Sequence, residues 1–195
     1  MKPKTCKHCK TKYTPTMRMQ VVCSPMCGLE RARKKREAEA KAAKVAEKKV
    51  DRVKREAIKT IPQLIAEAQK EFNAFIRERD KDKPCICCGQ PLGFLDGGPG
   101  SSTGGAFDCG HYRSTGSAPH LRFDERNAHG QRKHCNRYGA GRAVDYRIGL
   151  IQRLGVAAVE ALEADNDVVK WDRDTLRQIK VIYRAKARQL KKETA

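Results

Sequence analysis

The chain has 195 residues, of which 39% are hydrophobic and 33% are charged. Lys and Arg number 42 against 23 Asp and Glu, which gives a net charge of +19 at pH 7. A composition this polar favours small modules joined by polar helices and argues against one large core. Positive charge along most of the length attracts polyanions, so nucleic acid is the expected partner. A membrane surface is disfavoured, because the basic segments carry few large apolar residues.

The sequence indicates a cytoplasmic protein. No stretch is long and apolar enough to span a bilayer, and the polar residues after Met1 do not resemble a secretory signal. The nine cysteines are an odd number, and disulfides are rare in the cytosol. Metal ligation is therefore the better explanation for most of them.

Four cysteines near the start of the chain form a C-x2-C pair, Cys6 and Cys9, and a C-x3-C pair, Cys23 and Cys27. Each spacing suits a tight turn that directs both thiolates at one ion. The segment is too poor in apolar residues to fold without such an ion. We therefore predict a structural zinc ribbon or knuckle at residues 1–28, closed to substrates.

Residues 29–60 are rich in Ala, Lys, Glu and Arg and contain no Gly or Pro, which predicts a long basic helix. A narrow apolar seam recurs along it at three- and four-residue steps. The seam consists of Ala42, Ala46, Val50, Val53 and Ala57. Three interpretations stay open: a solvated helix, an arm that follows DNA phosphates, and a weak coiled-coil dimer seam.

An amphipathic helix is predicted for residues 61–80, where Pro62 suits the first turn and apolar residues recur on one face. That face comprises Leu64, Ile65, Ala68, Phe72, Phe75 and Ile76. The Gly-rich segment 96–105 predicts a flexible loop between two strands.

Residues 143–195 return to helical spacing and predict a helical, basic C-terminal region. Asp172 or Asp174 is the expected cap of its last helix.

A second cysteine-rich segment contains the knuckle pair Cys85 and Cys88, followed much later by Cys135. A fourth ligand is needed, and the histidines nearest Cys135 are His129 and His134. We therefore predict a second structural zinc on the three cysteines and one of these two histidines.

The same segment contains residue types suited to phosphodiester hydrolysis. That reaction needs a base to activate water and a cation to neutralise the developing charge. His111 is the candidate base, and Asp108 and Asn136 offer the oxygen ligands that Mg²⁺ prefers. The alternative that His111 is a zinc ligand beside Cys109 stays open.

The arrangement resembles the HNH nucleases: a C-x2-C knuckle, a strand ending in a histidine, an asparagine, and a second knuckle. Its ending in Cys135-Asn136 is similar to the endonuclease VII branch, which cuts branched DNA. Over essentially its full length the chain resembles the NinG (Rap) recombination endonucleases of lambdoid phages. The basic helix, "GHYRS", "LRFDERNAHGQ" and "CNRYGAG" carry this likeness.

The resemblance implies an α+β fold class with an HNH-like ββα-metal nuclease core in residues 81–142. It implies that His111 is the general base, that Asn127 orients the loop or the base, and that Asn136 binds Mg²⁺ or Mn²⁺. Gly110 stands where the residue before the base is usually Asp. Asp108 lies on the same strand face as Gly110 and is the expected carboxylate ligand.

A second departure concerns the zinc. Arg132 stands where the first cysteine of the second knuckle usually lies. Either His129 or His134 must substitute for that cysteine, or the zinc is weak or absent.

The resemblance also implies metal-dependent cleavage of Holliday junctions and other branched intermediates, with four-way junctions and D-loops as partners. Two opposed cuts favour a homodimer. A positive charge spread along the chain, together with few aromatic residues, favours recognition of the shape of the DNA backbone. Phosphate contacts are predicted for Arg113, Arg122, Arg126, Arg137 and Arg142.

Two other functions stay open. The first is a non-catalytic zinc-containing accessory protein that binds branched DNA during recombination. The second is a ribosome-associated RNA-binding zinc protein, which the histidine and asparagine set disfavours.

Overall fold

The computed structural model describes residues 1–92 and 106–193. The chain divides into two compact units, Met1–Lys59 and Thr60–Ala195. Among the described residues, each unit has one two-stranded antiparallel sheet, and the rest of the regular structure is helical. The prediction of an α+β fold is confirmed. The loop predicted at 96–105 lies outside the described residues.

The first unit consists of a small hairpin and one long helix. Strand β1 (Lys4–Thr5) pairs with β2 (Lys12–Tyr13), and helix α1 spans Pro25–Ile58. The Ser24 side chain caps α1 by accepting the N–H of Cys27, which satisfies one of the donors left unpaired at a helix start. The helix therefore begins at Pro25, earlier than residue 29, and Cys27 lies in its first turn.

Helix α1 buries none of its residues within its own unit. Its seam valines stay open to solvent, with Val50 52% and Val53 62% exposed. The predicted long basic helix is present. That a second helix packs on its seam stays a prediction.

In the described part of the chain, the second unit contains two strands and four α-helices. In chain order they are α2 (Ile61–Asp80), β3 (Asp108–His111), β4 (Ala128–Gln131), α3 (Ala143–Leu154), α4 (Val156–Ala164) and α5 (Arg173–Glu193). A short 3-10 helix (Pro119–Phe123) lies between the strands, and a wide helical turn (His134–Tyr138) follows β4.

Helices α2 and α5 begin at well-defined caps. Thr60 and Gln63 form a capping box at the start of α2. Asp172, and not Asp174, caps α5, because its carboxylate accepts the N–H groups of Asp174 and Thr175 at 2.9 Å each.

The main core lies between α2 and α5. The predicted apolar face of α2 is buried except for Ile65, which is partly buried, and it packs on Leu176, Tyr183 and Ala187 of α5. The rings of Phe72 and Tyr183 meet edge to face with centroids 4.7 Å apart, a favoured aromatic geometry.

A second core lies on the α3 and α4 side of the unit. Tyr146 and Leu150 of α3 pack with Val159 and Leu162 of α4 and with Ile86. The hairpin β3–β4 lies between the two cores, because Ala128 of β4 belongs to the first core and the Tyr146 hydroxyl of the second donates to the carbonyl of Gly110 at 2.9 Å. The hairpin is thus fixed on both faces.

Among the described residues, no helix has the length and apolarity needed to cross a membrane.

Candidate functional site

The four N-terminal cysteines converge on one point. The sulfur atoms of Cys6, Cys9, Cys23 and Cys27 all lie within 4.8 Å of one another. The Cys9–Cys23 and Cys23–Cys27 sulfur distances are 3.5 Å, near the edge of about 3.8 Å of a tetrahedron with Zn–S bonds of ~2.3 Å. This cluster fits the predicted structural zinc.

Backbone N–H groups around Cys6 favour the thiolate form of its side chain. The N–H groups of His8 and Cys23 each donate to its sulfur at 3.4 Å. Burial raises the pKa of Cys6, but backbone donors at Cys9, Cys23 and His8 outweigh it and lower that pKa to about 6. The thiolate, which is the form that binds metal, is thereby favoured.

A second group of three thiols forms at Cys85, Cys88 and Cys135, whose sulfur atoms also lie within 4.8 Å of one another. The backbone N–H of Arg132 donates to the sulfur of Cys85 at 3.3 Å. The chain therefore turns toward the cluster at this position, as a knuckle does, although the side chain of Arg132 cannot bind zinc. Three thiolates could hold a zinc ion with one further ligand.

Neither predicted histidine joins these thiols within the described part of the chain, so that prediction is corrected. His129 is only 4% exposed, and its Nδ1 lies 3.0 Å from Nη2 of Arg79 and 3.7 Å from Oδ2 of Asp80. The charged end of α2 therefore holds the ring away from the cysteines. His134 is exposed beside Tyr138, with ring centroids 6.4 Å apart.

Asp108 and Asn136 are brought together, as predicted. Nδ2 of Asn136 donates to Oδ2 of Asp108 at 3.1 Å, and Arg137 binds both carboxylate oxygens at 2.7 and 2.8 Å. Burial raises the pKa of Asp108, but the bonds from Arg137 and Asn136 outweigh it and hold that pKa below its ordinary value. An ionised carboxylate beside an amide suits a hard divalent cation, provided the amide presents its oxygen.

His111 lies on the opposite face of β3 from Asp108. Alternation along the strand puts Cys109 and His111 on the face toward α2, and the His111 ring lies 6.0 Å from that of Phe72. Its Nε2 lies 3.1 Å from the carbonyl oxygen of Arg122, so Nε2 carries the proton and donates. Neither Cys109 nor His111 joins a thiol cluster in the described residues.

Burial also determines the charge of His111. It lowers the pKa of the imidazole below the ordinary 6.5, and the bond to the Arg122 carbonyl only partly offsets it. The neutral ring that results can accept a proton at Nδ1.

Asn127 closes the loop between the two strands. It is fully buried, and its Oδ1 accepts the N–H of Arg113 at 2.8 Å. Its Nδ2 donates to the carbonyl oxygens of Arg113 at 2.9 Å and Leu121 at 3.1 Å. This geometry suits the loop-orienting role that the resemblance implied.

Comparison with known proteins decides the family. The family described as "Bacteriophage Lambda NinG protein" matches residues 1–193. The chain belongs to the NinG family. Protein ninG of Salmonella phage P22 is 40% identical over 194 residues, covering 94% of this chain and 90% of that protein. Protein ninG of Escherichia phage lambda is 39% identical over 194 residues, with the same coverage of 94% and 90%.

A third NinG protein, from Escherichia phage 933W, is 39% identical over 197 residues, covering 95% of this chain and 92% of its own. No solved structure matches the chain. The NinG match spans both thiol clusters and the Asp108–Asn136 pair, so the resemblance to this family is confirmed.

In this NinG chain, each arginine expected to contact DNA has a partner within the protein. The partners are Asp124 for Arg126, Asp108 for Arg137, Asp145 for Arg142, Gln69 and the Thr115 carbonyl for Arg122, and the end of α4 for Arg113. Arg126, Arg137 and Arg142, which are paired with Asp, can exchange that partner for a phosphate, and their DNA contacts stay a prediction.

Arg113 differs from the others, because its guanidinium bonds to several backbone carbonyls at the end of one helix. It donates to the carbonyl oxygens of Leu162 at 3.0 Å and of Asp165, and to Oδ1 of Asn166 at 3.0 Å. The last carbonyls of a helix lack partners within it. Arg113 therefore fastens the end of α4 to the loop after β3, a use that sequence reasoning did not foresee.

Sequence reasoning also missed Asp80, the last residue of α2. Its side chain is fully buried. It accepts the N–H of Gly130 at 2.8 Å and bonds from Arg79 at 2.8 Å and Lys83 at 3.0 Å. Burial raises its pKa, but His129, Arg79 and the Gly130 N–H together hold that pKa far below its usual range. The available signal was an acidic residue in the last turn of a helix, where the dipole disfavours it.

Proposed function

We propose that this NinG-family chain is a divalent-metal-dependent endonuclease that cleaves Holliday junctions and other branched recombination intermediates. The observation that carries the proposal is the contact between Asp108 and Asn136. It joins an ionised carboxylate to a side-chain amide on a protein with a net charge of +19. A hard cation at a DNA-binding surface suits phosphodiester hydrolysis.

The order of elements supports an HNH-like ββα-metal core. The antiparallel strands β3 and β4 are followed at once by the helical turn His134–Tyr138, which carries Asn136. Cys135 in the same turn belongs to the three-thiol group. A structural zinc there would fasten the turn that presents Asn136.

Two side chains would hold Mg²⁺ or Mn²⁺, Asp108 through its carboxylate and Asn136 through its amide oxygen. A bound divalent ion supplies charge neutralisation at the phosphate and acidifies a coordinated water. Arg137 keeps the Asp108 carboxylate ionised and oriented before DNA arrives.

His111 is the proposed base, accepting a proton from the attacking water at Nδ1 while Nε2 stays bound to the Arg122 carbonyl. Asn127 acts as a positioning residue, because it holds the loop that begins after His111. His111 is the last residue of β3 and lies three residues, or about 10 Å along the strand, from Asp108. DNA that engages both would have to pass over this end of the hairpin.

The proposal includes two structural zinc ions, a homodimer formed through the α1 seam, and action in the cytoplasm of the bacterial host. The two thiol clusters support the zinc ions. The exposed seam of α1 supports self-association. Paired cuts across a junction favour two copies.

A second candidate is a non-catalytic accessory protein that binds branched DNA. The position of His111 favours it, because the base and the cation ligands lie on opposite faces of β3. In that case the thiol clusters and basic helices would only hold the junction.

The deciding experiment compares cleavage of a labelled immobile four-way junction and of linear duplex, with Mg²⁺, Mn²⁺ or EDTA. We expect metal-dependent cuts near the branch for the wild-type chain. His111→Ala should abolish them and keep junction binding, while the neighbouring Cys109→Ala should leave both intact. Tight junction binding by the wild type without cutting in either metal would favour the accessory protein.

A further inference from the structure

A cavity of about 730 Å³ lies apart from the Asp108–Asn136 pair. Its walls are the second cysteine knuckle, the residues before β4, and α3. Neither Asp108 nor Asn136 lines it. The endonuclease proposal leaves this cavity without a role.

His129 lines this cavity and has one ring nitrogen without a partner among the described residues. Its Nδ1 lies 3.0 Å from Nη2 of Arg79 and 3.7 Å from Oδ2 of Asp80, so this ring nitrogen is occupied by the charged end of α2. Burial lowers the pKa of His129, and the nearby cations Arg79 and Arg153 lower it further, against the effect of Asp80. The other ring nitrogen, Nε2, is the one left for a ligand. That atom is buried and has no partner in the described part of the chain, although His129 lines the cavity.

Arg153 provides a hydrogen-bond donor on the same wall. Its Nη2 donates to the carbonyl oxygen of Pro84, which fixes the guanidinium. Its Nη1 is buried and makes no hydrogen bond among the described residues, with Oδ2 of Asp80 3.8 Å away. Buried N–H donors without partners are uncommon and costly. The unpartnered nitrogens of His129 and Arg153 beside one cavity therefore indicate a site for a polar ligand.

The charge around the cavity favours an anionic acceptor. Four cationic side chains line it, Arg79, Lys83, Arg126 and Arg153, against two carboxylates, Glu125 and Asp145. Both carboxylates are paired with cations outside the lining, Glu125 with Lys186 at 2.5 Å and Asp145 with Arg142 at 2.7 Å. Asp80 beneath the wall is shared by Arg79, Lys83 and Arg153. Arg126 pairs with Asp124, so positive charge is in excess around the cavity.

The cavity is larger than a phosphate needs and is partly apolar. Ile86, Ile148 and Leu154 contribute apolar lining. Such surface suits the sugar or the base of a nucleotide that has left the stack. Paired duplex DNA does not offer such a group, whereas the single-stranded segment of a branched intermediate such as a D-loop does.

We propose that this cavity binds the phosphate of an unpaired nucleotide in branched DNA, with Nε2 of His129 and Nη1 of Arg153 as donors. The proposal deepens the proposed function and rests on DNA as the partner. It gives the chain a contact specific to the branch, separate from the residues that cut.

The first test follows the ring nitrogens of His129 by NMR in the full chain with ¹⁵N-labelled histidine. The probes are a short single-stranded oligonucleotide, inorganic phosphate, and chloride at matched ionic strength. We expect Nε2 to be protonated and its signal to move with the oligonucleotide at lower concentration than with phosphate, and not with chloride. His129→Asn assigns the signal and keeps an acceptor for Arg79. A signal that moves with neither phosphate nor oligonucleotide overturns the site.

The second test measures the affinity for a branched DNA with a single-stranded arm at several salt concentrations, in EDTA so that no cutting occurs. Arg153→Gln should lower the slope of log affinity against log salt by about 0.7 to 0.9, the loss of one phosphate contact. Arg188→Gln removes the same charge from an exposed position on α5 outside the cavity and should leave the slope unchanged. If Arg153→Gln fails to fold, Arg126→Gln at the same cavity replaces it. An unchanged slope, with the His129 signal responding to phosphate alone, overturns the DNA assignment.

The two proposals fail separately. If the wild-type chain never cuts but shows the His129 response and the Arg153 effect, the nuclease proposal fails and the cavity proposal stands. If the chain cuts junctions but the His129 signal does not respond to any probe, the nuclease proposal stands and the cavity proposal fails.

Discussion

The amide of Asn136 donates to the carboxylate of Asp108 across 3.1 Å, although 28 residues separate them in the chain. Strand β3 supplies one partner, and the helical turn after β4 supplies the other. The hairpin register puts Asp108 opposite Gln131, so the turn that follows β4 starts beside Asp108. The pairing of β3 with β4 therefore brings Asp108 and Asn136 together.

Asp108→Asn is predicted to abolish metal-dependent cleavage while keeping the fold. The substitution preserves the shape of the side chain but removes the charge that would bind the cation, whose contribution to such reactions is several kcal/mol. Junction cleavage should fall by roughly 100-fold or more at saturating DNA. The matched control is Asp174→Asn, at a side chain 84% exposed on α5. Equal Mg²⁺ dependence of the cutting rate in wild type and Asp108→Asn would refute the ligand role.

Stability is predicted to fall as the pH drops below about 6.5. Burial lowers the pKa of both His111 and His129 from their ordinary 6.5. Below pH 6.5 the unfolded chain binds more protons than the folded one. The contribution of the two neutral histidines to the free energy of unfolding is therefore fully present above pH 6.5. It is lost as the pH falls from 6.5 toward their pKa values in the folded chain. The denaturant midpoint of the wild type should therefore decrease with decreasing pH in this range, which gives a measurable slope of midpoint against pH. His111→Gln combined with His129→Gln should flatten it, and an equal slope in the double variant contradicts the prediction.

Sequence pattern predicted those features that depend on local spacing. The apolar face of α2 follows from the helical period, and the thiol clusters follow from the C-x2-C and C-x3-C spacings, because short turns fix both. The side-chain partners of His111, His129 and Arg113 could not be predicted. They depend on which face of the hairpin meets α2 and on where α4 ends, which long-range packing decides. Asp80 was missed for the same reason, since its partners Gly130 and Lys83 come together only in the folded unit.

Zinc content is predicted to follow the two thiol clusters independently. Cys9→Ser should remove one equivalent of zinc and Cys88→Ser another, because each cluster would hold its own ion. Cys109→Ala should keep both, since that thiol joins neither cluster among the described residues. Metal analysis of the purified chains gives the stoichiometry. Loss of both ions in either single variant, or retention in Cys9→Ser, would argue against separate sites.

Arg113→Ala is predicted to lower stability and not junction affinity. The guanidinium holds the carbonyls at the end of α4, and a hydrogen bond to a charged group contributes about 2 kcal/mol. The free energy of unfolding should fall by about that amount. Arg126→Ala removes an exposed ion pair with the neighbouring Asp124 and should change the free energy of unfolding much less. A weaker junction affinity in Arg113→Ala with unchanged stability would return Arg113 to the DNA-contacting set.

The α1 seam is predicted to join two copies of the chain. Val50 and Val53 lie on one side of a 34-residue helix that buries nothing within its own unit, and apolar residues at three- and four-residue steps are typical of a two-helix seam. Sedimentation equilibrium should give a mass near twice the 21.9 kDa of one chain. Val50→Glu with Val53→Glu should give the single-chain mass, because the new charges would face each other across the seam. Lys48→Glu puts a glutamate on the opposite side of the helix and should leave the dimer intact. A monomeric wild type, or a dimer that survives both valine substitutions, would contradict the prediction and require the paired cuts to come from copies that meet only on the junction.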